Sequence, residues 1–505
     1  MLLPKSDPAL DPSGIHIQGI AYGCAAILLS ILLMLPARSY GMQGVPADTL
    51  NLQQHPVTIT QAIQVALANN TEIKRALFSL KDADQQVRIA WSEVLPDISG
   101  NASYTRNIEL PVIFFPDQQG NLQAIQIGDD NNWVGTISVE QILFRGEAFV
   151  GINTSQLFKA AQAENVRATT QQIVTDTRTA YYNVLVAKEE LRLQQASVDR
   201  LRENLEENRA RYRAGLVDEF AVLQVEVQLS NQLPELTRAE YTVREARREL
   251  LLVMGLPVEL QIETEGDLSD YDILSEIPRS AANREIKELN QMTPYRFEKT
   301  ENMISMATGM RGDIRVLEKR NELKDREIRA IRSRYIPTLS TSYNLGWRAE
   351  EPGALDFFGN DLQRVRTQSV SFNLSVPIFQ GLERDANLQI AKIEKKDLEI
   401  QKEFAVRAAQ NQIQTARESL NQSIETASAR EEAIEQAREG YERALARLEN
   451  GLGSQIEVIE AEFQLRQAER NYARMVYNYL TAKARYDLAI GMVPFVDRET
   501  PKISE

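Results

Sequence analysis

Glu457 and Glu460 are the residues of this 505-residue chain whose type and spacing best fit a chemical role. They lie six and nine positions after Gly451, in the turn Gly451-Leu452-Gly453. A spacing of three puts both carboxylates on one helix face, about a turn apart. Such a pair is a fixed negative patch, and a ring of such pairs around a symmetry axis would favour cations and bind multivalent ones. The plainer alternative is two surface glutamates opening a helix and stabilised by its dipole. Either way the chemistry is electrostatic, not covalent. The chain has only His16 and His55 as histidines and only Cys24 as a cysteine, and it lacks a nucleophile elbow or a phosphate-binding loop. No catalytic residue, metal site or cofactor is expected, so energy for any directed process must come from elsewhere.

The turn has a twin. Gly215-Leu216-Val217 precedes Gly451-Leu452-Gly453 by 236 positions, and each turn is followed 40 positions later by another glycine, Gly255 and Gly491. That agreement in phase marks an internal duplication. In the first copy Ala221 and Gln224 stand where the second has Glu457 and Glu460, so the acidic pair belongs to one hairpin only. Both turns read as tips of helical hairpins, with glycine also suited to a helix C-cap.

The helices leading to the tips are long. Phe149–Arg213 and Leu382–Asn450 carry no proline, and at 1.5 Å per residue each reaches about 100 Å. A rod of that length must project from a bilayer. The return helices, about Asp218–Met254 and Ser454–Ile490, are half as long, as are helices expected at Thr58–Trp91 and Ser305–Arg334. A return helix and a short helix placed end to end would match one long helix. Ile456, Ile459, Phe463, Tyr472, Met475, Tyr479, Ala482, Tyr486 and Ile490 fall at steps of three and four, the seam of coiled-coil-like packing. The charge-rich stretches Arg200–Arg213 and Arg430–Glu449 read as solvated helix surface.

Between the helices the period changes to two. Ile98, Gly100, Ala102 and Tyr104 alternate with Ser99, Asn101, Ser103 and Thr105; Trp133, Gly135, Ile137 and Val139 with Val134, Thr136, Ser138 and Glu140; Leu339, Thr341, Tyr343, Leu345 and Trp347 with Thr338, Ser340, Ser342, Asn344 and Gly346; and Val370, Phe372, Leu374, Val376 and Ile378 with Ser369, Ser371, Asn373, Ser375 and Pro377. One apolar and one Ser/Thr/Asn face is the pattern of an outer-membrane barrel strand, though a soluble sheet covered on one face alternates equally well. Tyr104, Trp133, Tyr343, Trp347 and Phe372 are the expected membrane-facing residues, and Arg106–Asn132 is expected to be a loop. Four strands cannot close a barrel, and open edges are not tolerated in lipid, so strands in a membrane require an oligomer.

The formal net charge of −14 gives no global attraction to phosphates, which argues against a nucleic-acid partner. Ile20–Leu35 is the one long apolar run, short of the roughly 20 residues of a spanning helix. Ala37-Arg38-Ser39 supplies small residues for cleavage before Tyr40, as in a secretory signal; a buried helix is the alternative. Lipid attachment at Cys24 fits less well, because most of the apolar run follows it. The expected organisation is a signal peptide (1–39), a linker (40–57), a first repeat (58–256, strands about 97–106 and 133–144), a connector (257–300), a second repeat (301–492, strands about 338–348 and 369–379) and a tail (493–505).

Over roughly Thr58–Met492 the chain resembles the TolC-like outer-membrane efflux family. The resemblance rests on the repeat, the helix-to-strand junctions Leu95-Pro96 and Ile336-Pro337, the strand exits ending at Gly146 and Gly381, and the two glycine turns. It implies a mainly α fold with a small β part: long antiparallel helical hairpins forming a periplasmic α-barrel, and four strands per chain that close as a twelve-stranded barrel in a homotrimer. It further implies a passive duct in the outer membrane, working with a periplasmic adaptor and an inner-membrane pump in efflux or type I secretion. Glu457 and Glu460 match the acidic residues that ring the family's periplasmic entrance, and Gly215, Leu216, Val217, Gly451, Leu452 and Gly453 match its adaptor-docking tips. Two departures stand out. Ile142 occupies a position where proline is frequent, and Gly453 replaces the family's arginine, which removes a charge-paired latch like theirs. The competing function is a periplasmic coiled-coil adaptor or structural rod, which predicts solubility without detergent. An enzyme is disfavoured by the missing site.

Overall fold

The computed structural model of the protein describes residues 55–116, 122–268, 271–273, 283–292, 300–352 and 363–496. The expected leader at 1–39 lies outside them. The described chain is mainly helical with a small sheet. It begins with α1 (Ile59–Asn69) and α2 (Thr71–Ser92), followed by strands β1 (Asp97–Arg106), β2 (Val112–Pro116), β3 (Leu122–Gln126) and β4 (Asn131–Phe144). Helices α3 (Gly146–Arg213) and α4 (Glu219–Met254) form the first hairpin. The short α5 (Arg284–Gln291) and α6 (Thr300–Met310) lead to α7 (Gly312–Ser333), β5 (Thr338–Glu351) and β6 (Gln363–Ser375). The second hairpin is α8 (Glu383–Glu449) and α9 (Gln455–Ile490).

Side by side, α2, α3, α7 and α8 pack in that order next to the sheet, and α4, α3, α9 and α8 pack in that order next to the tips. The long helices α3 and α8 run through both levels. The half-length pieces stack in pairs, α4 onto α2 and α9 onto α7. The stacking points are tight. A Cβ built on Gly255, which caps α4 at φ +71°, would lie 2.5 Å from the Asn69 carbonyl oxygen. One built on Gly491, which caps α9 at φ +75°, would lie 2.6 Å from the Arg311 nitrogen. Only glycine permits both the left-handed cap and this approach of two backbones.

These junctions correct the sequence reading. Thr58–Trp91 is not one helix: it breaks at Asn70 (φ −56°, ψ 133°). The Asn70 side chain accepts from the Glu72 and Ile73 amides and donates to the Val253 carbonyl, so it caps α2 while fastening α4 beneath it. Ser305–Arg334 breaks likewise at Arg311 (φ −74°, ψ 123°). There Gln171 of α3, itself buried, donates to the Met310 and Gly491 carbonyls and accepts from the Gly312 amide.

The sheet has the order β1-β4-β5-β6, antiparallel throughout. Its register aligns the apolar residues across all four strands: Ile98 pairs with Val139, Val139 with Tyr343, and Tyr343 with Val370. The polar residues align likewise, Ser99 with Ser138, Ser138 with Asn344, and Asn344 with Ser369. Because the side-chain period is two, this registration makes one face apolar and the other polar. The apolar face is bare: Ile98, Val370, Phe372 and Leu374 are all exposed. The stretch between Arg106 and Asn131 is not merely a loop. It holds the β2–β3 hairpin, whose Val-Ile-Phe-Phe run supplies the β-branched and aromatic residues that favour pairing.

Candidate functional site

At the second tip, Ser454 caps α9 by accepting from the Glu457 amide. Gly451 (φ +71°) makes the turn, and the Leu452 amide reaches back to the Arg447 carbonyl at 2.8 Å. Glu457 and Glu460 are both exposed on the first turns of α9. Glu457 is not a bare carboxylate: Arg447 Nε lies 3.6 Å from its Oε2, and Arg447 also donates to the Leu452 carbonyl. The absence of a Cβ at Gly453 makes room for this. A Cβ there would meet Arg447 Cβ at 3.1 Å and Glu457 Oε2 at 3.2 Å. A charge pair therefore exists at this turn after all, with its cation supplied six residues earlier, from α8. Glu460 accepts from Gln464.

The first tip is built alike, with Gly215 at φ +72° and Asp218 capping α4 through the Ala221 amide. Leu216 and Leu452, 74 % and 72 % exposed, project from the two tips. Phe220, Leu223 and Val227 of α4 line an apolar patch with Ile456 and Ile459 of α9. Ile456 and Phe463 are exposed, so the expected α9 seam is buried only from Tyr472 onward. The change has a physical reason. Near the tips α9 is covered mainly by α3 and α8, whereas higher up the connector and α6 also pack on it: the Tyr472 hydroxyl donates to the Tyr271 carbonyl, and Tyr486 lies against Met303.

Charged pattern misread one stretch. Arg200–Arg213 is only partly solvated, for Asn204, Leu205 and Asn208 are buried. From this face α3 grips the second hairpin. Arg200 donates to Glu462 at 2.9 Å, Asn208 to Gln455 at 2.9 Å, and Arg211 to the Leu448 carbonyl at 3.2 Å. Arg466 of α9 reaches back to Ser197 and Gln232. Glu462 is nearly as deeply buried as a core leucine.

Deeper in the body, Arg178 of α3 and Asp487 of α9 form a 2.7 Å ion pair with neither side chain exposed. Arg178 also donates to Asn290 of α5 at 2.9 Å, and Lys483 pairs with the same Asp487 carboxylate. Burial pulls the Lys483 ammonium below its usual range, although Asp487 opposes that shift. The group ties the two repeats to the connector.

In the sheet, Tyr104 and Trp133 stack with centroids 4.1 Å apart, and Trp347 lies one cross-strand pair further in, opposite Gly135. These three cluster at the end of the sheet away from the helices. Tyr343 sits four residues along β5 from Trp347, and Phe372 faces Thr341. Among the described residues no helix is long and apolar enough to cross a membrane, and no His, Cys, Asp and Glu cluster could hold a metal ion.

Comparison with known proteins agrees with this architecture. AprF of Pseudomonas aeruginosa, an alkaline protease secretion protein, is 23% identical over 452 residues, covering 86% of this chain and 87% of AprF. The outer membrane protein TolC of Escherichia coli is 22% identical over 445 residues, covering 86% and 82%. Among solved structures, CusC superposes with a TM-score of 0.68 at 17% identity, covering 86% of this chain and 92% of that one. VceC of Vibrio cholerae gives 0.67 at 16%, covering 86% and 96%. The outer membrane efflux protein family matches residues 62–256 and 303–492, the two repeats. The chain belongs to the outer membrane efflux protein family.

Proposed function

We propose that this protein is the outer-membrane export duct of a tripartite efflux or type I secretion system, passively conducting substrates delivered by an inner-membrane pump. One observation carries the reading: the protomer is an open layer, four strands and four helical columns wide, with a continuous raw edge on each side. Along one edge run β6 and α8, where Ile390, Ile393, Ile400 and Phe404 are exposed at steps of three, seven and four. Along the other run β1, α2 and α4, with Phe78, Ile89, Tyr241 and Leu252 exposed. Unlike edges meeting head to tail generate a ring. An eight-stranded barrel is filled by its own side chains, so three copies, with twelve strands, make the smallest conduit. The apolar face of the sheet then meets outer-membrane lipid, with Tyr104, Trp133, Tyr343, Trp347 and Phe372 on it, and the polar face lines the pore.

In this reading the helical columns form the periplasmic tunnel. Six carboxylates, Glu457 and Glu460 from three chains, ring its entrance and favour cations. The tips at Gly215–Val217 and Gly451–Gly453, with exposed Leu216 and Leu452, receive a periplasmic adaptor. Nucleic acid is not a partner. The test is single-channel conductance of the detergent-purified protein in a planar bilayer, with a multivalent cation added on the tip side. A cation-selective pore, blocked from that side and relieved in E457Q/E460Q, is expected. Conductance with unchanged block in the variant removes the gate assignment. No conductance from protein that stays soluble without detergent removes the duct and leaves the adaptor or rod reading.

A further inference from the structure

A groove of about 810 Å³ lies between α8 and α9 at the level where α9 meets α7. Its size is within the roughly 300–1,000 Å³ range of small-molecule sites. Four arginines line it, Arg311, Arg430, Arg474 and Arg485, against a single acid, Asp313. Arg311 is committed: it chelates Asp313 through two nitrogens, at 3.0 and 2.7 Å, and donates to Gln412. Burial disfavours the charged Asp313 carboxyl, yet Arg311 holds it below its usual range, so this pair is internally neutral. The other three guanidiniums have no hydrogen-bond or ion-pair partner among the described residues, and Arg430, Arg474 and Arg485 are all exposed. Gln422, Asn471, Asn478 and Ser419 complete the wall with amide and hydroxyl groups.

This local excess of three positive charges stands in a chain of net charge −14, in which other arginines of the long helices, such as Arg211, Arg438 and Arg443, are paired with acids on their own helix. Its position is set by helix geometry. Arg474 and Arg485 are eleven residues apart, three turns, so they share one face of α9. Arg430 on the antiparallel α8 stands level with Arg474, since both are about equally far from the turn at Leu452. The connector and α6 pack on another face of α9, through Tyr472 and Tyr486. Steps of seven lead from Arg474 through Gln467 to Glu460, so the arginines and the tip carboxylate share a seam.

We propose that this groove is a binding station for small organic polyanions, held by Arg430, Arg474 and Arg485. Guanidiniums bind carboxylate or phosphate oxygens through paired, charge-assisted N–H donors, and the surrounding amides can satisfy the remaining oxygens. Placing the station inside a duct rests on the export reading; the binding does not. A duct so built admits through an acidic entrance and then, roughly 20 Å further along α9, offers anionic groups three fixed partners.

The probe is citrate, titrated calorimetrically at low ionic strength into the full-length, detergent-purified protein, with bilayer recordings on the same preparation. Saturable binding is expected, weakened about tenfold or more by R430Q/R474Q/R485Q and by raised salt. Absence of binding to the wild type, or equal binding to the triple variant, overturns the proposal. A conducting pore without citrate binding keeps the duct and removes the station; citrate binding that needs the arginines, without a pore, does the reverse. Should the triple variant fail to fold, Arg474→Gln alone, at an exposed position, is read instead: it must weaken binding, and unchanged affinity overturns the assignment.

Discussion

The bond between Arg200 and Glu462 should set how tightly the second hairpin is held against the first. Glu462 is 4 % exposed, Arg200 is 22 % exposed, and the two meet at 2.9 Å. Removing one partner of a fully buried pair costs about 3–5 kcal/mol. Arg200 keeps access to water, and Asn208–Gln455 and Arg211–Leu448 remain, so about 2 kcal/mol is the reasonable share for Arg200→Met. That loss falls on the state in which the hairpins are joined. It shifts an equilibrium between held and released tips by about thirtyfold. If about one channel in a hundred is released at rest, about one in four is released in the variant. Single-channel recording should then show long-lived high-conductance openings in Arg200→Met that are rare in the wild type. Arg200→Met/Glu462→Leu should fall between, because the stranded carboxylate is gone. Unaltered conductance in Arg200→Met, with thermal unfolding showing that about 2 kcal/mol was lost, would refute the reasoning: the bond would then be present in both states.

Four glycines share one backbone conformation but not one neighbourhood. Gly215 and Gly451 have open space where a Cβ would stand, whereas Gly255 and Gly491 face backbone atoms at 2.5 and 2.6 Å. Alanine at either tip should cost only about 1–2 kcal/mol of left-handed strain, and alanine at either junction should prevent the oligomer from forming, read by native gel. In the buried group, Asp487→Asn leaves the Arg178 and Lys483 cations together without their carboxylate and should cost about 3–5 kcal/mol. Arg178→Met leaves the Lys483–Asp487 pair in place and should cost less, measured as unfolding rates in denaturant; the reverse order would refute this account. The pH dependence follows from Lys483, whose proton is held less tightly folded than unfolded. Stability is therefore gained as pH rises from the lowered folded value toward the ordinary lysine range. Asp487→Asn removes the group that opposes the lowering, so its gain of stability with rising pH should begin at a lower pH than in the wild type.

Much of the architecture can be read in one dimension, because its determinants are local. The duplicated Gly-Leu turns, the proline-free helices and the Leu95-Pro96 and Ile336-Pro337 junctions express backbone preferences of adjacent residues. Strand alternation reports a two-faced sheet for the same reason. The site was less legible. Glu457 was visible, but its partner Arg447 was not, since that pairing depends on how the turn folds back over Gly453. Arg200 looked like a solvated charge because a charged run has the same composition whether or not another helix covers it.

The sequence by itself determined the repeat, the lengths of the two long helices and their return helices, the strand faces and the position of the tips. These follow from periodicity and from residues that favour or forbid a backbone angle within a few positions. The tertiary structure alone decided the breaks at Asn70 and Arg311, the burial of Arg178, Lys483 and Asp487, and the gathering of Arg430, Arg474 and Arg485 in one groove. Each depends on groups brought together from distant parts of the chain. A charge is stabilised or stranded by whatever lies within a few ångströms in space, and for Arg178 that neighbour is 309 residues away.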